Sequence, residues 1–391
     1  VHAIFNFFSS LKLTVVTLFM SLVLVFVGTL AQVKLGLYIA QEKYFSSLFV
    51  FWGPRDSDWQ IPVWPGGYLL GAILLLNLVA AHIKRFEFSR KKFGIFIVHA
   101  GLILMFLGQF TTQILQVESV MAIPAGGSKN YSESIKRSEL AVIDVTDADK
   151  DKVVSIPERV LAKKVGYEIR VPELPFAIKV KSFLLNSTPG KFEFGKGFQF
   201  ASEPRAIKMN ERDIPATTFE VVADGASKGQ YTVSNWLCEE GLLASIQRQL
   251  GGKLPPGLTE PQTYTHNGRK YVFVMRQQRF YKPFTITLLK FNFDRYLGTN
   301  IPKNYSSRIR IQRPGTGEDR EVLIYMNNPL RYWGETYYQQ SFSRDETGTV
   351  LQVVNNPSWL TPYVACVMVG LGLIIQFLMH LVGFAKKRKV A

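Results

Sequence analysis

Cysteine is scarce: there are two in 391 residues, Cys238 and Cys366. One falls in a polar stretch and the other in an apolar run, so no disulfide between them is expected, and neither a C-x-x-C nor a zinc-type spacing occurs. The C-x-x-C-H spacing is missing as well, so the chain carries no covalent haem of its own. Acidic residues are also few, 30 against 46 Lys and Arg, for a formal net charge of +16. Such an excess is the usual footprint of nucleic-acid binding, but no nucleic-acid motif accompanies it. Part of it lies beside apolar runs (Lys84, Arg85, Arg90, Lys91, Lys92; Lys386, Lys387, Arg388, Lys389), where cations set membrane orientation. The sequence shows no internal repeat, no convergent acid–base pair and no nucleophile beside a base. It begins at Val1 rather than at methionine, which leaves its true start open.

What is abundant is charge-free apolar length. Hydrophobic residues make up 47%, and a mean hydropathy of only +0.08 averages two compositions. Four runs are long enough to cross a bilayer core as helices: Leu13–Ala31, Gly66–Ile83, Gly94–Gln113 and Leu360–Phe384. The first is too long for a signal-peptide core and lacks a small-x-small cleavage site, so it reads as an uncleaved helix. Thr14, Ser21 and Gly28 give it a small-residue face. The loop Gln32–Pro65 includes a candidate interfacial segment, Leu35–Phe51, and Trp52, Trp59 and Trp64, residues that favour the membrane boundary. In the second run Asn77 is placed to bond across helices, and His82, at a wet boundary, reads as structural.

The third run organises the rest. Gly94, Gly101 and Gly108 recur at a spacing of seven and form one narrow ridge for close helix approach. At about 100° per residue, His99 points nearly opposite that ridge. An ionisable ring is costly in a membrane and is a functional candidate by default; the alternative is a histidine bonded to a neighbouring helix for packing. In the fourth run Gly372, Gln376 and His380 stand four apart on a stripe that must face protein.

Between the third and fourth runs the pattern changes to short β-branched and aromatic segments punctuated by Gly, Pro, Asn and Asp, which predicts antiparallel sheets. These segments include Leu140–Val145, Phe176–Phe183, Thr218–Val222, Tyr271–Met275, Phe284–Phe293 and Thr336–Phe342. One helix is predicted at Glu239–Leu250, capped by Gly251. The fold class is α+β: four transmembrane helices plus a large extracytoplasmic antiparallel β domain, sandwich- or barrel-like. Residues 1–114 hold helices one to three with an outer-face loop at 32–65. Residues 115–358 form the β-rich domain, and 359–391 the fourth helix and basic tail.

The basic turn Lys84–Lys92 and the tail Lys386–Lys389 place both termini in the cytoplasm, in a multi-pass protein of the bacterial cytoplasmic (inner) membrane with its large domain outside. His99 then lies about six residues inside the membrane, roughly 9 Å at 1.5 Å per residue. His380 lies a few residues before the cytoplasmic end of the fourth helix. Both imidazoles fall in the inner leaflet, a geometry that suits a cargo received inside and handed outward.

The His99–Leu102 segment HAGL, the run MNNPLRYWGETYYQQSF (Met326–Phe342), the join VLQVVNNPSWLTPY (Val350–Tyr363) and NLVAAHIKRF (Asn77–Phe86) resemble the ResB, or CcsB, family of system II cytochrome c biogenesis. The resemblance covers nearly the whole chain. It implies a subunit of a cytochrome c synthase complex that exports haem for attachment to the CxxCH thiols of apocytochrome c. It also implies a ResC- or CcsA-type membrane partner; a thioredoxin-like thiol reductant is a further candidate. The cofactor implied is non-covalent haem b in transit, and the matching residue for the family's membrane haem ligand is His99, as axial ligand to the iron. His380 packs, lines the same cavity or supplies a second ligand. No catalytic residue is expected in this chain, since the tryptophan-rich segment and outer histidines belong to the partner, which would carry the attachment chemistry. His266 reads as a solvated loop residue. The competing readings are a cofactor-free extracytoplasmic scaffold and a b-type electron-transfer cytochrome; the latter needs paired histidines in both leaflets, and the outer one has none.

Overall fold

A bilayer core offers no water to amides, so an apolar run there must close its hydrogen bonds within itself as a helix. The computed structural model describes the chain apart from residues 1, 54–59, 85–91, 194–196, 207–211, 250, 255–259, 300–301, 344–345 and 391. Trp59, Arg85, Arg90, Lys91 and Leu250 therefore lie outside the described residues. The α-helices are α1 (His2–Phe8), α2 (Leu11–Leu35), α3 (Leu37–Ala40), α4 (Gly67–Lys84), α5 (Phe93–Leu115), α6 (Glu158–Lys163), α7 (Glu240–Gln249) and α8 (Thr361–Val390). Those long and apolar enough to span a membrane are α2, α4, α5 and the Thr361–Ala385 part of α8, in accord with the four expected runs. The chain divides into two compact units, one built from Val1–Val117 and Asn355–Ala391, the other from Glu118–Ala206 and Asn210–Val354.

In the helical unit, α5 and α8 pack antiparallel along the glycine ridge. Gly94, Gly101 and Gly108 are the buried residues of α5. A methyl group at Gly94 would fall 2.7 Å from the Gly372 carbonyl and the Gln376 amide; at Gly101 it would fall 2.8 Å from Val369, and at Gly108 2.4 Å from Thr361. Asn77, 2% exposed, is the polar knot between α4 and the N-terminal segment. Its Nδ2 donates to the Phe8 and Ser10 carbonyls (2.6 and 3.0 Å), while Thr14 Oγ1 donates to its Oδ1 at 2.6 Å. Lys84 Nζ donates to Asn6 Oδ1 at 2.7 Å. The start of α2, the basic end of α4, the start of α5 and the end of α8 thus collect at one end of this unit.

On α2 the buried residues are Thr17, Leu24 and Gly28; of the expected face, Thr14 bonds to Asn77 and Gly28 is buried against Phe45, while Ser21 is only half-buried. Ser21 turns its hydroxyl back to the Thr17 carbonyl (2.8 Å), which satisfies it without a neighbour. The segment expected at the interface becomes α3, a π-helical turn (Gln41–Phe45) and a hairpin of β1 (Phe49–Trp52) and β2 (Ile61–Pro65). Trp64 packs with Leu24, Val50 and Leu70 and donates to the Met20 carbonyl at 3.3 Å.

The second unit holds β3 (Val117–Ile123), β4 (Ser128–Asp144), β5 (Lys152–Pro157), β6 (Glu168–Ile169), β7 (Ala177–Leu184), β8 (Ser187–Glu193), β9 (Gly197–Ser202), β10 (Ala216–Ala223) and β11 (Ala226–Ser234). It continues with β12 (Gln262–His266), β13 (Arg269–Arg295), β14 (Pro302–Arg313), β15 (Glu318–Tyr325), β16 (Leu330–Tyr332), β17 (Glu335–Phe342) and β18 (Thr349–Asn355). The main sheet runs β15-β14-β13-β4-β3-β18-β17-β16, with β12 beside β13 and β5 beside β4. A bridge from Tyr325 to Asn328 brings its two ends together, so it nearly closes into a barrel. A second sheet, β11-β10-β7-β6, shares one core with it, where Phe219, Val221 and Ile178 meet Leu140, Phe273 and Met275. The barrel interior is a separate core of Met121, Phe284, Ile286, Ile309, Tyr337 and Leu351.

The runs expected as two strands, Tyr271–Met275 and Phe284–Phe293, are the two halves of the 27-residue β13, and each half feeds a different core. Its register with β4 shifts between Gln277 and Arg279 and between Tyr281 and Ile286. Pro283, which has no amide hydrogen to give a ladder, sits in the second break. At the first lies a buried ion pair. Arg276 Nε donates to Glu139 Oε1 at 3.0 Å, with side chains 9% and 2% exposed, and Ser155 Oγ donates to Glu139 Oε2. The predicted helix stands as α7, with Ile246 buried against Phe200, Trp236 and Leu254, and Gly251 past its end at φ +75°.

Two outcomes follow. Gly94→Val overpacks the α5–α8 seam and costs about 1–3 kcal/mol, whereas Gly71→Ala on α4, where a methyl meets nothing within 4 Å, leaves stability unchanged or higher; thermal melts in detergent compare them. Arg276→Met strands the Glu139 carboxylate in the core and costs about 3–5 kcal/mol, which a denaturant titration of the full chain measures.

Candidate functional site

His99 stands on the second turn of α5, and the glycine ridge fixes where it points. With Gly94 and Gly101 committed to α8, the residue between them is turned to the other side of the helix, toward α4. Its Nδ1 lies 2.8 Å from the carbonyl of Ile95, one turn earlier. A carbonyl can only accept, so Nδ1 carries the hydrogen. In the neutral ring this leaves the lone pair on Nε2, which has no hydrogen-bond partner among the described residues. A ring fixed through one nitrogen to a backbone carbonyl, with the other nitrogen unprotonated, is the usual preparation of a histidine for metal ligation.

The neighbour on α4 is His82. The two imidazoles lie nearly parallel, centroids 5.6 Å apart and planes 25° apart, and His82 also faces Phe96 at 5.2 Å and 33°. Phe96 and His99 are three apart on α5, and so lie on one face. His82, read from the sequence as a structural residue near the end of its run, is half-buried and lies against the candidate site. The contact sets the end of α4 against the second turn of α5, a relation between two helices that no spacing within either one encodes.

His380 is placed otherwise. It stays on α8, exposed, with Nε2 2.8 Å from Gln376 Nε2, and Gln376 is wedged against Gly94 of α5. The expected stripe of Gly372 and Gln376 does face protein. No hydrogen bond or ring contact joins His380 to His99 among the described residues, so the two candidate ligands are not brought together. Gln376 Oε1 is buried with no hydrogen-bond partner.

The β unit offers no second centre of this kind, and no group of three or more His, Cys, Asp or Glu suited to a metal ion occurs among the described residues. His266 ends β12 just before the Asn267–Gly268 turn (φ +47° and +75°), with Tyr264 Oη 3.2 Å from its Nδ1 and Phe176 edge-on to its ring. It is half-buried in an aromatic group rather than a solvated loop residue. Cys238 is exposed as a residue, but its sulfur is hemmed in: burial, with the Glu239 carboxylate second, pushes the thiol up to about 11. At neutral pH it stays protonated and is a poor nucleophile. In the barrel core, Tyr337 Oη donates to Glu335 Oε2 at 2.7 Å and Lys282 pairs with the same carboxylate. Burial raises the Tyr337 phenol far above its ordinary range. The Tyr337 hydroxyl is a core anchor. Trp333, at the tip of the β16–β17 hairpin with φ +54°, lies under the Arg313 guanidinium at 4.0 Å.

The model of the ResB-like family matches residues 262–350, the stretch from β12 through β17 that supplies most of this barrel core. The chain is also 33% identical over 310 residues to Protein NrfI of Wolinella succinogenes, a match covering 79% of this chain and 30% of that protein. The chain thus spans under a third of the length of the relative it matches. With the motifs, the four long helices, the β unit and both matches in accord, the chain belongs to the ResB-like family, the cytochrome c biogenesis family that its motifs resemble.

Proposed function

We propose that this chain is the haem-handling subunit of a system II cytochrome c synthase complex. It receives haem in the inner leaflet, and a ResC- or CcsA-type membrane partner completes the path to the CxxCH thiols of apocytochrome c. The observation that carries this reading is the His99 ring, held through Nδ1 by the Ile95 carbonyl with Nε2 free for iron. Imidazole is an ordinary axial ligand for haem iron, and apolar surroundings with controlled access tune the metal's redox state. The fit is one of chemistry: one neutral nitrogen donor, half-buried, beside two flat rings suited to a porphyrin's surroundings. A single donor also fits a cargo that must leave, and a second donor from another protein fits a complex. His380, tied to Gln376, takes no part in this reading.

The orientation proposed is cytoplasmic for both termini and extracytoplasmic for the β domain, in a bacterial inner membrane. It rests on the basic residues flanking α4, α5 and α8, whose ends gather at one end of the helical unit. The attachment chemistry is assigned to the partner, to which the resemblance gives the tryptophan-rich segment and the outer histidines.

Absorption spectra of the purified chain, alone and with its partner, test the ligand. A haem signal present in the parent and abolished in His99→Ala is expected. A signal unchanged in that variant rejects the site, and no haem under any co-expression condition favours the cofactor-free scaffold. For topology, a reporter fused after Ala391 is expected to behave as cytoplasmic and one inserted near Gly315 as exported; the reverse pattern overturns the orientation.

A further inference from the structure

A histidine on a helix retains broad freedom about its last side-chain torsion. The Ile95 carbonyl fixes one atom of the His99 ring, but one hydrogen bond leaves the ring plane free to swing about it. The plane needs a second restraint, and the only ring laid against it among the described contacts is that of His82, at 5.6 Å and 25°. His82 is itself well placed to supply it. It covers Phe96 and His99 together, a pair three residues apart on one face of α5. On either side of it α4 is tied to the N-terminal segment by side chains, Asn77 five residues before and Lys84 two residues after.

We infer that His82 is a positioning residue for His99: the face of its ring, not its nitrogens, holds the plane of the iron-ligating imidazole. The assignment rests on the haem-handling reading above. The chain runs from the N-terminal segment through Asn77 and Lys84 to α4, from α4 through His82 to the plane of His99, and so to the direction of Nε2. Groups that orient a metal ligand without touching the metal commonly matter as much as 10–100-fold in affinity. The orientation of an axial imidazole plane also shapes the low-spin ferric electron paramagnetic resonance signal, which a merely structural role would not move.

The test uses the full chain purified in detergent with its ResC-type partner. Haem loss to excess apomyoglobin is followed by absorbance, and the ferric resonance spectrum is recorded on the same samples. His82→Ala is expected to lose haem about tenfold faster than the parent and to broaden the low-spin signal, while His82→Phe, which keeps a flat face and no nitrogen, stays within about twofold. His82→Leu, with apolar bulk but no flat face, sides with His82→Ala and decides the matter should the alanine variant fail to assemble. Parent-like behaviour of His82→Ala or His82→Leu overturns the inference, as does a His82→Phe as deficient as they are, since a nitrogen would then be acting. His99→Ala separates the two levels. Haem kept there, or absent from the parent, overturns the haem-ligand reading and this inference with it. Haem lost there with no effect at His82 overturns the positioning role alone.

Discussion

The approach of α5 and α8 backbone to backbone, with Gly94 set against Gly372, is the constraint on which the helical unit depends. Helices in lipid gain nothing from hiding apolar side chains from one another, because the lipid is as apolar as they are. They associate through close packing, and close packing needs residues without side chains. Each of these two glycines occupies the space that a side chain on the other would need. Once that seam is made, α5 has no rotational freedom left. His99, a little over one turn from Gly94 and two residues before Gly101, is committed to the side facing α4, and it meets His82 there. The small residues place the histidine.

The β unit solves a different problem, that of joining two cores with few strands. The long strand β13 runs through both with β4 paired along it, and a strand that serves two cores must bend between them. The bend is where the ladder slips, where Pro283 sits without an amide hydrogen, and where the Arg276–Glu139 pair is buried. Such a pair is weak as a source of net stability. Its value here is as a fixed point for register, since a slip of one residue would turn every side chain of β13 to the wrong face. The residues matched by the family model include β13 and the whole run to β17, so the family resemblance is anchored in this shared strand and the barrel beside it.

Much of this was legible in the sequence. Four spans, the glycine ridge, the position of Asn77 as a cross-helix bonder and α7 with its Gly251 cap all follow from local rules: apolar length, a spacing of seven, a polar residue inside a span, and glycine after a helix. The barrel's other strands were less readable for physical reasons. β5 carries a proline, and outside the barrel β8 carries Pro-Gly and β9 opens on glycine, residues that sequence rules give to turns; β13 looked like two strands because its middle, Arg276–Pro283, is polar where it passes between cores. On α2 the spacing of seven chose Ser21, yet Thr17 is the more buried; both hydroxyls bond back to their own helix, so neither depends on a neighbour and spacing alone does not choose between them. The pairing of His82 with His99 was invisible because it depends on the relative depth of two helices joined by a turn, which no periodicity within either helix encodes.

The state of the His99 ring follows from the cost of polar atoms in an apolar solvent. A ring with both nitrogens bonded to protein would be stable and inert. A ring with neither bonded would carry an unsatisfied N–H, which is expensive to bury. The arrangement found satisfies the donor on the helix's own Ile95 carbonyl and leaves only the acceptor nitrogen without a partner among the described residues. An acceptor lone pair is the cheaper group to leave open and the one a metal requires. Because the bond is made within α5, it does not depend on α4 or on any partner, so the tautomer of the ring is set by its own helix. What a neighbour can still adjust is the plane of the ring, and the helix that reaches it is α4. The two controls, tautomer from the ring's own helix and plane from the helix beside it, are therefore physically separable.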